Sequence, residues 1–142
     1  MKPKAKPLHL ESGEQVSLFQ WAEYENARVL PGAIRTYMFS IPNGAFLKNA
    51  RQAVQLKREG LRVGASDVFL AIPIFEHRWA GMFIELKKQR QHFRSMREAE
   101  KAVSDTQLEF HQDMTAAGYL CSVAYGWEEA RKQIVDYLNH GR

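Results

Sequence analysis

Hydrophobic and polar positions change period several times along this chain, and each change marks an element. Over residues 13–29, Val16, Phe19 and Ala22 recur at helical spacing, and Leu18 and Trp21 widen the stripe. Ser12 followed three residues later by Gln15 reads as a capping box, so a first helix is predicted there, ending before Pro31-Gly32. Residues 36–41 are β-branched and aromatic and are closed by Pro42-Asn43-Gly44, which predicts a strand and a turn. A second helix is expected over residues 45–59, stopping at Gly60, a residue suited to the left-handed cap.

The centre of the chain holds two dense apolar runs, residues 67–73 and 79–87, joined through Glu76, His77 and Arg78. They predict an antiparallel hairpin in which Asp67, at the start of one strand, lies opposite Glu85, at the end of the other. Residues 106–114 read as a helix ending at Gly118, and residues 119–125 as a strand. Gly126-Trp127-Glu128-Glu129-Ala130 opens a last helix with Ile134, Val135 and Leu138 on its inner face. The order is αβα, a hairpin, then αβα, which implies an α/β domain with a central mixed sheet flanked by helices.

Composition narrows this further. The 142 residues, 45% hydrophobic, suit one domain with a core of about residues 12–140. Twenty Lys and Arg against sixteen Asp and Glu give a net charge of +4, compatible with an anionic partner without requiring one. Residues 1–10 read as a flexible basic N-terminus. Residues 88–103, the most basic stretch, show no apolar period and are expected to lack fixed order in the absence of a ligand. Cys121 is the only cysteine, so no internal disulfide and no cysteine-based zinc site is expected; it reads as a small core residue in a reducing compartment. His77, His92 and His111 have no metal-ligand spacing. Trp21, Trp79 and Trp127 read as core or dimer-interface residues. No apolar segment reaches membrane length, so a soluble chain without a membrane partner is expected.

Candidate chemistry gathers at Glu85-Leu86-Lys87. Alternation on a strand projects Glu85 and Lys87 to one face and turns Leu86 into the core. With Asp67 beside them, two carboxylates would suit a hard divalent cation, and an ammonium would stand next to it. An ordinary protonated lysine is a poor general base, so Lys87 is expected to hold the attacking water and steady the phosphate. The competing readings are a strand-capping Asp67 and a surface Glu85–Lys87 ion pair. The pair fits poorly with an otherwise apolar strand.

The ordered set of Glu14-Gln15, Ile41-Pro42-Asn43-Gly44, Gly60 and Gly64 leading to Asp67, Phe83-Ile84-Glu85-Leu86-Lys87, Gln107, Gly118-Tyr119 and Gly126-Trp127-Glu128-Glu129-Ala130 resembles the VRR-NUC domain of the PD-(D/E)XK nuclease superfamily. The similarity spans about Glu14 to Leu138. It departs at Ala65-Ser66, where a proline is usual before the acid, and in the longer basic segment after Lys87. The resemblance implies a restriction-endonuclease-like core and a Mg2+- or Mn2+-dependent, structure-selective DNA endonuclease leaving 5′-phosphate and 3′-hydroxyl ends. By the same resemblance the catalytic set is Asp67, Glu85, Lys87 and Gln107. Asp67, Glu85, the Leu86 carbonyl and Glu14 would hold the metal, and Asn43-Gly44 would turn near the cleft. First-turn acids such as Glu14 are also favoured simply by the helix dipole, and Gln107 has the alternative of an exposed polar residue. Arg51, Lys57, Arg58, Arg62, Lys88, Arg90, Arg94 and Arg97 would contact DNA phosphates, unless they form a solvated face. Glu11, Glu109 and Asp113 read as surface acids. Small stand-alone viral and bacterial members imply a homodimer in the cytoplasm of a bacterial or phage-infected cell, a branched or Holliday-junction substrate and no nucleotide cofactor. A flap or nicking nuclease, or a non-catalytic DNA-binding subunit on the same scaffold, stands as the alternative.

Overall fold

A computed structural model describes residues 10–42 and 49–140. The helices are α1 (Leu10–Tyr24), α2 (Ala50–Arg58), α3 (Met96–Lys101), α4 (Asp105–Ala116) and α5 (Trp127–Asn139). The strands β1 (Met38–Ser40), β2 (Val68–Leu70), β3 (Met82–Lys87) and β4 (Leu120–Tyr125) form one sheet in the order β1-β2-β3-β4. The first two pairings are antiparallel and β3 runs parallel to β4, so the sheet is mixed.

Strand alternation divides the sheet into two chemistries. Met38, Val68, Leu70, Met82, Ile84 and Leu86 are buried together with Leu18 and Ala22 of α1 and Ile134, Tyr137 and Leu138 of α5. On the opposite face Phe69 and Phe83 stack, and Phe83 meets Phe110 of α4 edge-on. Asp67, Glu85 and Lys87 share parity with Phe69 and Phe83, so the polar end of that aromatic face lies beneath α4. No helix of the described residues is long and apolar enough to cross a membrane.

Several boundaries differ from the sequence reading, each for a physical reason. The first helix begins at Leu10 and ends at Tyr24, not 13–29, so Ser12 lies inside it and caps nothing. Beyond Tyr24, Asn26 Oδ1 accepts from Arg28 N at 2.6 Å, with Arg28 at φ 67°; this turn folds the chain back so that Asn26 bridges Ala33. Residues 34–37, expected in part as strand, form a 3-10 turn before β1. Residues 79–81 bridge to Ile74 and Gly118 rather than extending β3, and Pro73, without an N–H, limits β2. The described part of the second helix starts at Ala50, with Asn49 Oδ1 accepting from Gln52 N. The Asn43-Gly44 turn and residues 45–48 fall outside the described residues, as do residues 1–9.

Residues 88–103, read as a basic and mobile segment, carry secondary structure of their own: a 3-10 turn at Arg90–His92 and the helix α3, capped by Ser95. The anchors are not periodic in sequence because they come from β4 and α5. Phe93 packs edge-on against Tyr125, Tyr125 Oη donates to Ala99 O at 2.8 Å, and Arg90 lies over the Tyr125 ring while bonding Glu129 through Nε at 2.8 Å and Nη2 at 3.1 Å.

Candidate active site

The hairpin register Val68↔Ile84, continued by one residue, sets Asp67 against Glu85. Asp67 is fixed from both sides: Ile41 N donates to its backbone carbonyl at 2.8 Å, and Leu86 N donates to its Oδ2 at 2.8 Å. Leu86 thus contributes its amide to the acid while its side chain fills the core.

Glu85 is 2% exposed and Lys87 6% exposed. Glu85 Oε1 accepts from Gln107 Nε2 at 2.8 Å and lies 3.5 Å from Lys87 Nζ. Glu85 Oε2 is buried and receives no hydrogen bond. Burial, then the neighbouring Asp67 charge, pushes the Glu85 carboxyl up to about 8, against a partial opposing effect from Lys87. Burial also raises the Asp67 carboxyl. Burial and the Asp67 charge together disfavour a second ionised carboxylate in so dry a place, so Glu85 holds its proton to higher pH than a free acid.

Gln107 ties α4 to this pair. Ser104 accepts from Gln107 N and donates its own N–H to Gln107 Oε1 at 2.9 Å, completing a capping box at the start of α4. The same Oε1 accepts from Lys87 Nζ at 3.2 Å. Two donors on Oε1 leave Nε2 to face Glu85, so the amide orientation is determined by its neighbours. The loop entering β2 is also bound to α4. Arg62 pairs with Asp113 at 2.7 Å over the Phe110 ring, and Ser66, fully buried, bonds His111 Nε2 at 3.0 Å. Burial lowers the His111 pKa, favouring the neutral ring. Gly64, at φ +85°, passes so close that a Cβ would lie 2.3 Å from Thr106 O. Asp113 is an exposed surface acid, as read, and its pair with Arg62 lies on the loop that leads to Asp67.

On α1 the structure separates two acids. Glu14 accepts from Gln89 Nε2 and from Trp127 N, both at 2.7 Å, so its carboxylate joins α1 to the segment after β3 and to the first turn of α5. Glu11, one turn earlier and read as a surface acid, instead feels the charges of Lys87, Asp67 and Lys88. Its side chain is solvent-exposed overall, yet desolvation of the carboxyl raises its pKa.

The basic residues divide similarly. Arg62 and Arg90 are engaged by Asp113 and Glu129. Lys88 Nζ sits 4.5 Å from the Phe93 ring centre. Arg51, Lys57 and Arg58 on α2, and Arg94 and Arg97 near α3, are exposed. Cys121 is half-buried on β4, and burial raises its thiol pKa. Trp21, Trp79 and Trp127 are partly buried against the core. A cavity of about 790 Å3 lined by Glu25, Arg28, Val29, Pro73 and Phe75 contains none of the candidate residues.

Among the described residues no three His, Cys, Asp or Glu side chains gather as a ready metal cage. The donor set is smaller and fits a magnesium-like ion, which keeps most of its waters and takes one or two carboxylates. Glu85 Oε2, buried without a hydrogen bond, and the neighbouring Asp67 carboxylate are the donors that would hold such a cation.

The molecule is thus an α/β protein with a mixed four-stranded sheet between helices, bearing two carboxylates and a lysine where a central hairpin meets a helix N-terminus. A solved structure described as a "VRR_NUC domain protein" matches with a TM-score of 0.73 at 20% identity, covering 93% of this chain and 90% of that one. The chain has the VRR_NUC fold. No family model and no curated protein matches the sequence.

Proposed function

We propose that this protein is a divalent-cation-dependent, structure-selective DNA endonuclease. The observation that carries the reading is the buried Glu85 carboxyl beside Asp67, whose Oε2 receives no hydrogen bond and whose pKa burial and the Asp67 charge push up. Such a pair is costly to bury without a cation and has no packing purpose. Asp67 and Glu85 would hold Mg2+ or Mn2+, with the Leu86 carbonyl as an expected further donor. The bound ion supplies a water of lowered pKa and charge for the phosphate oxygens.

The chain's own residues account for the rest. Lys87, held by Glu85 and Gln107, keeps its ammonium at the edge of the carboxylate pair, where negative charge grows on the phosphoryl group during in-line attack. Gln107 fixes both partners through one amide and prevents Lys87 from collapsing fully onto Glu85. Glu11, not Glu14, is the α1 acid suited to order water at the site, because the Glu14 carboxylate is committed to Gln89 and the first turn of α5. Exposed Arg51, Lys57, Arg58, Arg94 and Arg97, with Lys88, would track phosphates and set affinity without reading bases. A homodimer in the cytoplasm, acting on junction DNA, completes the proposal.

The test uses purified protein with labelled four-way junction, flap and linear duplex, in Mg2+, in Mn2+ and in EDTA. Cleavage that EDTA abolishes and that leaves 5′-phosphate ends is expected. Tight binding with no cleavage in either metal would instead assign a non-catalytic DNA-binding role. Sedimentation at working concentration tests the dimer, and a single species near the 16.4 kDa chain mass refutes it.

A further inference from the structure

Residues 88–103 leave the sheet at Lys87 and return to it chemically at the same place. The excursion starts at the peptide after Lys87 and ends at Ser104, whose N–H bonds Gln107 Oε1, which in turn receives Lys87 Nζ. Both feet of the loop therefore stand on the candidate reaction centre. Its body is fixed to β4 and α5 by the Tyr125–Ala99 bond and the two Arg90–Glu129 bonds.

At the midpoint in sequence stands Met96, 77% exposed. The backbone around it is held on both sides, since Glu98 Oε2 accepts from Arg94 N at 2.9 Å and Ser95 Oγ accepts from Glu98 N at 3.1 Å. Arg94 and Arg97, both exposed, flank it. A lone exposed methionine on a surface means little. Here it is presented on a preorganised turn, between two cations, on a loop rooted at the catalytic lysine.

We propose that residues 88–103 form the element by which the protein recognises branch points in DNA, a deepening that rests on the endonuclease reading above. Met96 is the apolar wedge that packs against the unstacked base pair at the branch, and Arg94 and Arg97 hold the phosphates on either side. Apolar side chains, methionine among them, serve this purpose where a duplex is kinked or opened, and unstacking is least costly where stacking is already interrupted. A linear duplex would be gripped by the arginines alone. The charge of the segment, five basic residues against Glu98 and Glu100, favours a polyanion over a protein partner.

The experiment places 2-aminopurine at the branch of a four-way junction and, separately, inside a linear duplex, and adds protein in Ca2+ so that binding is read without cleavage. The wild-type protein should raise fluorescence on the junction only. Met96→Ala should remove that rise and reduce the junction-over-duplex binding preference by about tenfold, the scale of one lost base contact, while duplex affinity stays within about twofold. Met96→Leu should retain both, and an unchanged far-UV spectrum for each variant excludes misfolding. Absence of a wild-type rise, or full junction preference in Met96→Ala, overturns the proposal. Failure of the endonuclease reading shows up elsewhere, as absence of cleavage of every substrate in Mg2+ and Mn2+.

Discussion

The raised pKa of buried Glu85 beside Asp67 makes stability, not only activity, depend on pH in an unusual direction. Glu85 titrates near 8 in the folded protein against 4.5 when free, so the folded state holds a proton that the unfolded chain has lost. The contribution to stability is complete below about pH 4.5 and disappears as pH rises through about 8. Asp67 is raised too and acts with the same sign. His111 is lowered and acts oppositely, but only around and below its ordinary value of 6.5, and the raised Cys121 thiol adds a loss of the same sign only as pH nears 9, so the carboxylate effect dominates between about pH 6.5 and 8. At about 1.4 kcal/mol per pH unit for one proton, the loss between pH 6.5 and 9 is about 2 kcal/mol. That is a sizeable share of the roughly 5–15 kcal/mol that holds a domain together.

Urea unfolding followed by tryptophan fluorescence in EDTA, from pH 6.5 to 9, measures it. Wild-type stability should fall by about 2 kcal/mol. Glu85→Gln, which keeps a neutral donor facing Asp67, should be nearly flat and more stable than wild type at pH 9. Millimolar Mg2+ should reverse the wild-type decline, because the cation binds the deprotonated pair and stabilises the fold by mass action. Wild-type stability that stays level or rises across this window in EDTA, or a Glu85→Gln protein that declines with the same slope, refutes the reasoning.

Four other substitutions test separate parts of the site. Lys87→Ala should lower turnover at least about a hundredfold while DNA affinity, measured by anisotropy in Ca2+, stays within about threefold. Glu14→Ala should cost about 1–2 kcal/mol of stability by freeing the first turn of α5; Glu11→Ala should leave melting unchanged and raise the Mg2+ concentration needed for half-maximal cleavage. Gly64→Ala forces a Cβ to within 2.3 Å of Thr106 O at a positive φ and should destabilise by about 2 kcal/mol or more, with turnover of the folded fraction reduced because α4 carries Gln107.

What was legible in the sequence follows from which parts of the site obey a period. The hairpin did, because two apolar runs with a polar link allow one register, and that register alone sets Asp67 against Glu85 and sends Lys87 to the same face. Gln107 was partly legible: Ser104 three residues before it is a capping-box signature, but one amide serving cap, carboxylate and ammonium together is visible only when α4 meets β3. The start of α1 was read late for a geometric reason. Ser12 and Gln15 imitate a box inside a helix that begins at Leu10, and setting the start three residues late puts Glu14 in the first turn. In the folded chain Glu14 is already a full turn along, at the α5 junction, while Glu11 lies nearer the strand end. Residues 88–103 escaped for another reason. Charge argues for disorder only when the charges stay solvated, and here Arg90 and Lys88 lie on aromatic rings supplied by Tyr125 and Phe93. A segment held by rings from a distant strand shows no period of its own, so its order became visible only with the tertiary contacts, and with it the loop that joins Lys87 to Gln107 through Met96.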